Sequence, residues 1–249
     1  MFDQLKILYR QGKQYIPDIS EVHLHRNFRG RPLIAVKNID EPALKNLCPT
    51  DAIDISPVRI NLLKCCFCGL CARAFPEKIK FTNDYRLASN DSENLIVTEG
   101  VDAPIAVNPD LVRPQIRKLF GKSLKLRQVS AGGNNSAELE LNACSNVNFD
   151  MGRFGIEFVA SPRHADGIVV TGPVSENMAE ALQICYDAIP DPKIIVLAGV
   201  DATGGGLFSD SPAVNRNFLN QHHIDLYIPG NPPHPLTIIN GLLDLCRDR

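Results

Sequence analysis

The chain has 249 residues, of which 44% are apolar and 22% are charged, and its formal net charge is −2. These values are ordinary for a globular protein with one large domain or two smaller ones. They exclude the strong basic excess of many nucleic-acid-binding proteins, so we expect no nucleic-acid partner. No run of about eighteen apolar residues is present, so we predict no direct membrane span. The first residues also lack the apolar core of a secretory signal.

The cysteines are unevenly distributed along the chain. Five of the eight fall between residues 48 and 71. A disulfide framework needs an oxidising compartment, whereas a dense cysteine cluster in a chain of this composition is typical of metal ligation in a reducing one. We therefore predict a metal centre near the N-terminus of a cytoplasmic protein.

The texture of the sequence changes at about residue 120. Residues 28–82 contain short segments that are interrupted by Pro and Gly. We predict a small α+β module there, around the cysteines. Residues 83–120 are predicted to be a linker, because SNDSE and VDAPIAVNPD are typical of a surface connection. The linker ends in the basic amphipathic stretch LVRPQIRKLFGKS.

Residues 121–249 alternate between apolar runs and helix-like segments. Three apolar runs end in Gly and a fourth ends in Pro, namely KLRQVSAGG, DGIVVTG, KIIVLAG and DLYIPGNPP. Short apolar runs rich in β-branched residues predict buried parallel strands. Residues 175–189 predict a helix that has Ser175 as its N-cap and ends before Pro190. This alternation predicts an α/β domain with a parallel sheet.

The cysteine motif has the spacing of a ferredoxin. Cys65, Cys68 and Cys71 form C-x2-C-x2-C, but Phe75 precedes Pro76 where a fourth cysteine would stand. Ferredoxins with two clusters use C-x2-C-x2-C-x3-C-P twice, and the fourth cysteine of each run ligates the other cluster. The isolated pair Cys48-Pro49 matches the fourth position of an upstream run. The motif therefore predicts one [4Fe–4S] cluster on the complete ligand set Cys48, Cys65, Cys68 and Cys71.

Two other interpretations of the motif stay open. A four-cysteine zinc site is one, although such sites usually pair two C-x2-C knuckles. A set of inert thiols is the other. Cys66 lies outside the spacing and is interpreted as a buried thiol. The isolated cysteines are interpreted as packed structural residues, namely Cys144, Cys185 and Cys246.

The sequence also resembles known electron-transfer subunits. From residue 120 onward it resembles the small subunit of membrane-bound energy-converting [NiFe] hydrogenases, of the formate hydrogenlyase type, and the 20-kDa-type subunit of NADH:quinone oxidoreductase. The motifs are FGKSLKLRQVSAGG, RFGIEFVASPRHADGIVVTGPVSENMAEAL, IPDPKIIVLAG and YIPGNPPHP. The first part resembles the ferredoxin-type subunit of such complexes through FRGRPLI, CPTDAI and CCFCGLC. The resemblance implies a fusion of two neighbouring subunits, with a flavodoxin-like second domain.

The resemblance also implies that a second cluster has been lost. In the hydrogenase and quinone oxidoreductase subunits four cysteines bind a proximal [4Fe–4S] cluster. The matching positions here are Asn134, Ala137, Asp201 and Asn231, and none supplies a soft thiolate ligand. The residues that frame them are retained, namely Gly132, Asn135, Glu138, Gly199, Gly205, Pro229, Gly230, Pro232 and Pro233.

Two functions follow from this resemblance as expectations. The first is an iron–sulfur electron-transfer subunit, not catalytic alone, that is held at the membrane periphery by a hydrogenase-like large subunit and membrane subunits. The second is a structural or assembly subunit that retains the docking surface but conducts no electrons through its second domain.

Weaker signals occur in the second domain and in FRGRP. Glu138, Asp201 and His234 are a possible hard-metal site, although such residues at loop ends are more often solvated or capping. The run DATGGGLF lacks the Gly-Lys-Ser/Thr ending of a phosphate loop and is interpreted as the former cluster loop. The run RHAD is predicted to order a strand-entry loop, and FRGRP is either a partner-facing or a solvated segment.

Overall fold

The structure is a computed structural model that describes residues 2–12 and 14–247. Its first part consists of an N-terminal helix followed by short strands and helices around the cysteines. These are α1 (Phe2–Gln11), β1 (Pro32–Ile34), α2 (Glu41–Asn46), β2 (Ile53–Asp54), β3 (Arg59–Asn61), α3 (Leu70–Ala74), β4 (Ile79–Phe81) and β5 (Ile96–Thr98).

The elements around the cysteines form two linked halves. β1 pairs antiparallel with β4, and β2 pairs antiparallel with β3. The order is therefore β-α-β-β-α-β, with each helix between two short strands. Leu44 of α2, Ile53 and Ile60 of the central hairpin and Ile79 of β4 are buried in a common core. Cys65 and Cys71 belong to the same core, so the packing that holds this part together also holds two of the predicted ligands.

Residues 83–120, predicted to be a linker, contain regular structure and buried side chains. β5 pairs antiparallel with β3, with Val97 opposite Ile60, and Leu95 is fully buried. Ser89 and Tyr227 exchange two backbone hydrogen bonds of 3.1 and 2.8 Å. Neither contact was predicted, because Ser, Asn and Asp, which are typical of surface connections, dominate the residues around them.

The second part is built from alternating strands and helices. Its elements are α4 (Pro114–Phe120), β6 (Leu124–Ser130), α5 (Ser136–Ala143), β7 (Ile156–Phe158), β8 (Gly167–Thr171), α6 (Glu176–Asp187), β9 (Ile194–Ala198), α7 (Val200–Gly204), α8 (Asn217–Gln221), β10 (Leu226–Ile228) and α9 (Pro235–Cys246).

A five-stranded parallel sheet is the centre of this second part. The strand order is β10-β9-β8-β6-β7, and every pair is parallel. The prediction of a parallel α/β domain is confirmed, and all four predicted strands are present. Every residue of β8 and β9 is buried, as expected for strands covered by helices on both faces. The three-residue edge strand β7 was not predicted, because it is too short to show a pattern.

One long helix of the second part was predicted from the sequence and another was not. The predicted helix is confirmed as α6, which begins after Ser175, although the Ser175 side chain makes no capping hydrogen bond. α9 was not predicted. It is buried on almost every residue and so lacks the polar face by which an amphipathic helix is recognised. Within the described residues no helix is long and apolar enough to cross a membrane.

A buried ion pair fixes β4 to the segment after β5. The Lys78 side chain is 1% exposed, and its Nζ donates to Glu99 Oε1 at 2.5 Å and to the Lys37 carbonyl at 2.8 Å. The hydrogen bond from Lys78 lowers the pKa of Glu99 below its ordinary value. Because that pKa is lowered on folding, the contribution of the pair is present above the ordinary glutamate pKa of about 4.3 and is lost as the pH falls through the lowered value.

We expect Lys78→Met to lower the free energy of unfolding by about 2–3 kcal/mol at pH 7, because the Glu99 carboxylate, which is 13% exposed, loses its charged partner. The difference from the unaltered protein should shrink as the pH falls below about 4. Urea denaturation at several pH values measures both effects. Lys80→Met, at an exposed position of β4 two residues further along the chain, is the matched control. An equal loss for both variants would contradict the role given to the ion pair.

Candidate metal centre

The four predicted cysteine ligands lie together in the structure. Cys48, Cys65, Cys68 and Cys71 line one pocket, named here the cysteine pocket. Cys66 lines it as well. Cys65 and Cys71 are each 9% exposed, and the other two ligands are partly buried. All are free cysteines. The structure therefore brings together thiols from two segments that are seventeen residues apart at their nearest.

Local backbone geometry turns the cysteine loop back on itself. Phe67 (φ 52°) and Gly69 (φ 74°) both have left-handed backbone conformations. This conformation is costly for Phe and free of that cost for Gly. It reverses the chain between Cys65 and Cys71, so that the loop can present its cysteines to the same pocket. α3 then begins after Gly69 and carries Cys71 in its first turn.

Backbone donors point at two of the sulfurs. The Ala52 amide donates to Cys48 Sγ at 3.2 Å, and the Phe67 amide donates to Cys65 Sγ at 3.4 Å. Such N–H donors favour the thiolate form, which is the form that binds metals. They also lower the electron density on a metal-bound sulfur, which is one of the ways a protein sets a cluster potential.

Burial opposes ionisation of the two inner cysteines when no cation is near. It raises the pKa of Cys71 to about 11, and it raises the pKa of Cys65 further still. The charges of neighbouring cysteines add to both increases, which reflects how close the thiols lie. Four thiolates can therefore be present together in this pocket only beside a positive charge, such as that of bound iron.

The donor chemistry of the cysteine pocket fits an iron–sulfur cluster. Four thiols with backbone donors to sulfur are what such a group requires. Among residues 2–12 and 14–247, no three His, Cys, Asp or Glu side chains form a group that could hold a single metal ion, and this includes the cysteine pocket.

A second pocket contains all four positions where the resemblance implies a lost cluster. Asn134, Ala137, Asp201 and Asn231 line it, and it is named here the Asn134 pocket. Its walls come from the loops after β6, β8, β9 and β10. These are the carboxyl ends of parallel strands, where open α/β sheets place their binding sites.

Two polar side chains of the Asn134 pocket are held by hydrogen bonds to neighbouring residues of the second part. Asn134 Oδ1 accepts from the Ser136 amide at 3.0 Å and from its hydroxyl at 2.6 Å. Glu138 Oε1 accepts from the Ser130 and Thr171 hydroxyls, both at 2.6 Å. Ala137 offers only a methyl group. None of the four positions in this pocket supplies a thiolate, because they hold two Asn, one Ala and one Asp, so the pocket does not fit an iron–sulfur cluster.

His234 does not join the predicted hard-metal site. Glu138 and Asp201 both line the Asn134 pocket, but His234 lines a neighbouring one with Phe28 and Arg29. Its Nδ1 accepts from the Leu236 amide at 3.2 Å, so it caps α9, and burial lowers its pKa. The hypothesis of three convergent ligands was wrong because the Pro-rich loop turns His234 toward the helix it begins.

The weaker motifs have structural roles. Asp166 of RHAD accepts from the Lys125 amide at 2.7 Å, so this side chain ties the residue before β8 to β6. In FRGRP the Arg31 guanidinium is 11% exposed and pairs with Asp102 at 2.7 Å, so it is not a solvated surface group. Arg29 Nε donates to the Phe67 carbonyl at 2.5 Å, and so it supports the cysteine loop.

One short helix, α7, connects the Asn134 pocket to the chain just before the cysteine loop, and sequence reasoning missed it. Val200 and Asp201 at its start line the Asn134 pocket, whereas Thr203 at its end donates to the Leu63 carbonyl at 2.7 Å. Leu63 lies two residues before Cys65. No sequence signal marks this contact, because it joins a side chain to a backbone carbonyl 140 residues away.

Comparison with known proteins assigns the second part to a family. The family described as "NADH ubiquinone oxidoreductase, 20 Kd subunit" matches residues 135–245. The probable membrane-bound hydrogenase subunit mbhJ of Pyrococcus furiosus is 37% identical over 129 residues, which are 52% of this chain and 77% of that protein. The chain belongs to this family of oxidoreductase-complex subunits.

The chain is also similar to two further relatives and to a chain of known structure. A subunit of the NADH-quinone oxidoreductase of Clostridium beijerinckii is 43% identical, with coverage of 43% of this chain and 64% of that one. Formate hydrogenlyase subunit 7 of Escherichia coli is 34% identical, with coverage of 57% and 56%. A chain of an archaeal membrane-bound sulfane sulfur reductase is 27% identical, with a TM-score of 0.46 and coverage of 54% and 74%.

Ionisation of Asp201 in the Asn134 pocket makes the free energy of unfolding depend on pH. Burial, with a smaller contribution from the charge of Glu138, raises the pKa of Asp201 above its ordinary value. A carboxyl group whose pKa is raised on folding destabilises the fold once the pH exceeds the raised value. Asp201→Asn should therefore increase the free energy of unfolding at pH 7, and the gain should vanish below about pH 4. Urea denaturation at both pH values checks this, with exposed Asp210→Asn as the control.

Proposed function

We propose that the chain is an iron–sulfur electron-transfer subunit that carries one [4Fe–4S] cluster on Cys48, Cys65, Cys68 and Cys71. The observation that carries the proposal is the convergence of these cysteines on one pocket. When bound, such a cluster accepts and donates one electron at a time. The residues of the chain bury it, hold its irons and tune its potential. They perform no bond chemistry of their own.

Topology supports a ferredoxin-like module as the carrier of this cluster. The order β-α-β-β-α-β, with β1 paired to β4 and β2 to β3, relates two similar halves. In such an arrangement the fourth ligand of one run belongs to the cluster of the other. Here Phe75 of the second run cannot serve as a ligand, and Cys48 after α2 lies at the pocket instead.

The zinc alternative is less well supported by the cysteine spacing. Four-cysteine zinc sites usually pair two C-x2-C knuckles. Here Cys48 stands alone, and the other three cysteines form C-x2-C-x2-C, which is the ferredoxin spacing.

The second domain holds no cluster in this proposal. Its four candidate positions share the Asn134 pocket, but they offer amide, methyl and carboxylate groups there. Electrons therefore pass only through the N-terminal cluster. By analogy with relatives named as hydrogenase and quinone oxidoreductase subunits, the chain works in a multisubunit membrane complex. Its partners there are a hydrogenase-like large subunit and membrane subunits, and it is bound at the cytoplasmic periphery.

A structural or assembly role is the second candidate. It is favoured by the retained walls of the Asn134 pocket, because Gly133, Gly172 and Gly199 still bring four strand-end loops close together. A docking surface built from those loops does not depend on the cluster-binding cysteines and is retained without them. In this version the N-terminal cluster stabilises the fold without changing its redox state.

Iron and acid-labile sulfide on the purified protein test the proposal. We expect about four irons and four sulfides per chain, the content of one cube. Cys68→Ser and Cys48→Ser should each lose most of that iron, because each removes the ligand of one corner. Cys66→Ser is the matched control, since Cys66 lines the same pocket without belonging to the ligand set. An iron content near eight would show that the second domain is also occupied, and an equal loss in Cys66→Ser would overturn the ligand assignment.

Redox titration of the assembled complex separates the two candidate functions. An electron-transfer subunit should show reduction and reoxidation of its cluster, detected by electron paramagnetic resonance, while the complex turns over. A cluster that stays in one redox state throughout turnover would favour the scaffold role.

A further inference from the structure

Two arginine side chains contact the backbone of the cysteine loop. Arg29 Nε donates to the Phe67 carbonyl at 2.5 Å, and Arg73 Nη1 donates to the Cys68 carbonyl at 3.2 Å. A Cβ at Gly69 would stand 3.1 Å from Arg29 Cδ and 3.7 Å from Arg73 Nη1. Because Cys68 and Gly69 both line the cysteine pocket, the two guanidinium groups lie beside residues that form its wall.

A close backbone contact of the next residue brings Arg29 to this position. The Gly30 amide donates to the Thr82 carbonyl at 2.8 Å, and a Cβ at Gly30 would stand 2.0 Å from the Asp84 carbonyl oxygen. Real Cβ atoms do not come so near to backbone, so only glycine permits this contact. The segment before β1 is thereby fixed against the segment after β4, and Arg29 can reach the cysteine loop from it.

The positive charges of these two arginines are not neutralised by carboxylates. In the part of the chain that the structure describes, neither Arg29 nor Arg73 has an Asp or Glu within ion-pair distance. By contrast, Arg31 of the same segment pairs with Asp102 at 2.7 Å. Because a guanidinium stays protonated at every pH at which proteins are studied, both arginines bring a full positive charge to the cysteine loop.

Phe67 links the Arg29 charge to a predicted ligand. Its carbonyl accepts from Arg29, and its amide donates to Cys65 Sγ at 3.4 Å. These two contacts and the three bonds between them place Arg29 Nε no more than about 10 Å from Cys65 Sγ. Arg73 bonds to the carbonyl of Cys68, which is itself a predicted ligand. Charges this close to a partly buried site act on it strongly, because the effective dielectric constant there is lower than that of water.

We propose that Arg29 and Arg73 form a cationic clamp on the cysteine loop that raises the reduction potential of the cluster. This inference rests on the proposed function, because it concerns the same cluster. Reduction adds one electron and breaks or forms no bond, so the reduced form carries one more negative charge than the oxidised form. Nearby positive charge therefore stabilises the reduced form more. Neither arginine is a ligand, and both act through their charge.

Arg29→Gln tests the clamp, because it removes the charge and keeps a hydrogen-bond donor. The full chain with its cluster is titrated with dithionite and redox mediators, and reduction is followed by electron paramagnetic resonance. Because both arginines are exposed, the titration is done at low ionic strength, where screening is weakest. We expect a more negative midpoint potential, seen as a several-fold shift of the equilibrium with a fixed mediator toward the oxidised cluster. Arg29→Lys keeps the charge and should stay close to the unaltered protein.

Arg163→Gln is the matched control, since it removes an exposed charge of the same kind from the second part. Arg163 precedes β8, whereas the contact of the second part with Leu63 is made by Thr203, which follows β9. Because the strands are parallel, these two positions lie at opposite edges of the sheet. Arg163→Gln should leave the midpoint potential unchanged.

Arg73 provides a second pair of variants in case Arg29→Gln fails to retain iron. Arg73→Gln should move the midpoint potential in the same negative direction, and Arg73→Lys should restore it. The iron content of each variant, measured before the titration, shows whether the cluster is complete. A hydrogen bond that only supported the fold would change the thermal midpoint of unfolding without moving the potential.

The outcomes separate this inference from the function on which it rests. Absence of iron from the unaltered protein would overturn the proposed function. A complete cluster whose midpoint potential is unchanged or more positive in Arg29→Gln and Arg73→Gln would overturn the clamp alone. Equal shifts in the Lys and Gln variants would also overturn it, because the shape of the guanidinium and not its charge would then be the cause.

Discussion

The pairing of β2 with β3 is the constraint on which the cysteine pocket depends. Ile53 lies opposite Ile60 in this short hairpin. Cys48 stands five residues before the first of these and Cys65 five residues after the second, so the pairing sets both at the same end of the hairpin. A tight loop can place Cys65, Cys68 and Cys71 by itself, but the remaining ligand must come from elsewhere in the chain. The hairpin supplies it, and burial of Ile53 and Ile60 in the common core stabilises that placement.

The sequence predicted the parts of the fold that carry repeating chemistry. Largely apolar runs predicted β6, β8, β9 and β10. The signal is strongest for β8 and β9, because a strand buried on both faces is apolar throughout. Cysteine spacing predicted which thiols lie together. α9 escaped prediction because burial on every side removes the periodic pattern, and β5 escaped because three residues within a polar segment show none.

Contacts to backbone carbonyls were beyond prediction from one sequence. Thr203 meets Leu63, and Arg29 meets Phe67, across the fold. A backbone carbonyl has the same chemistry at every residue, so residue type does not indicate which carbonyl will accept such a hydrogen bond. The prediction that His234 joins a hard-metal site failed for a related reason. Its place in a family motif suggested a ligand, but its neighbour Pro235 begins a helix, and the imidazole caps that helix.

The path of the chain between the two parts has a consequence for assembly. β5 pairs with β3 in the first part, and Ser89 bonds to Tyr227 in the second, so one continuous segment is fastened at both ends. Two separate polypeptides meeting at a junction of this kind would dissociate when diluted, to an extent set by their affinity. Tethering on one chain keeps the two surfaces at an effective concentration of about millimolar or more. The junction beside Cys65 is therefore independent of protein concentration, and the two parts are always present in equal numbers.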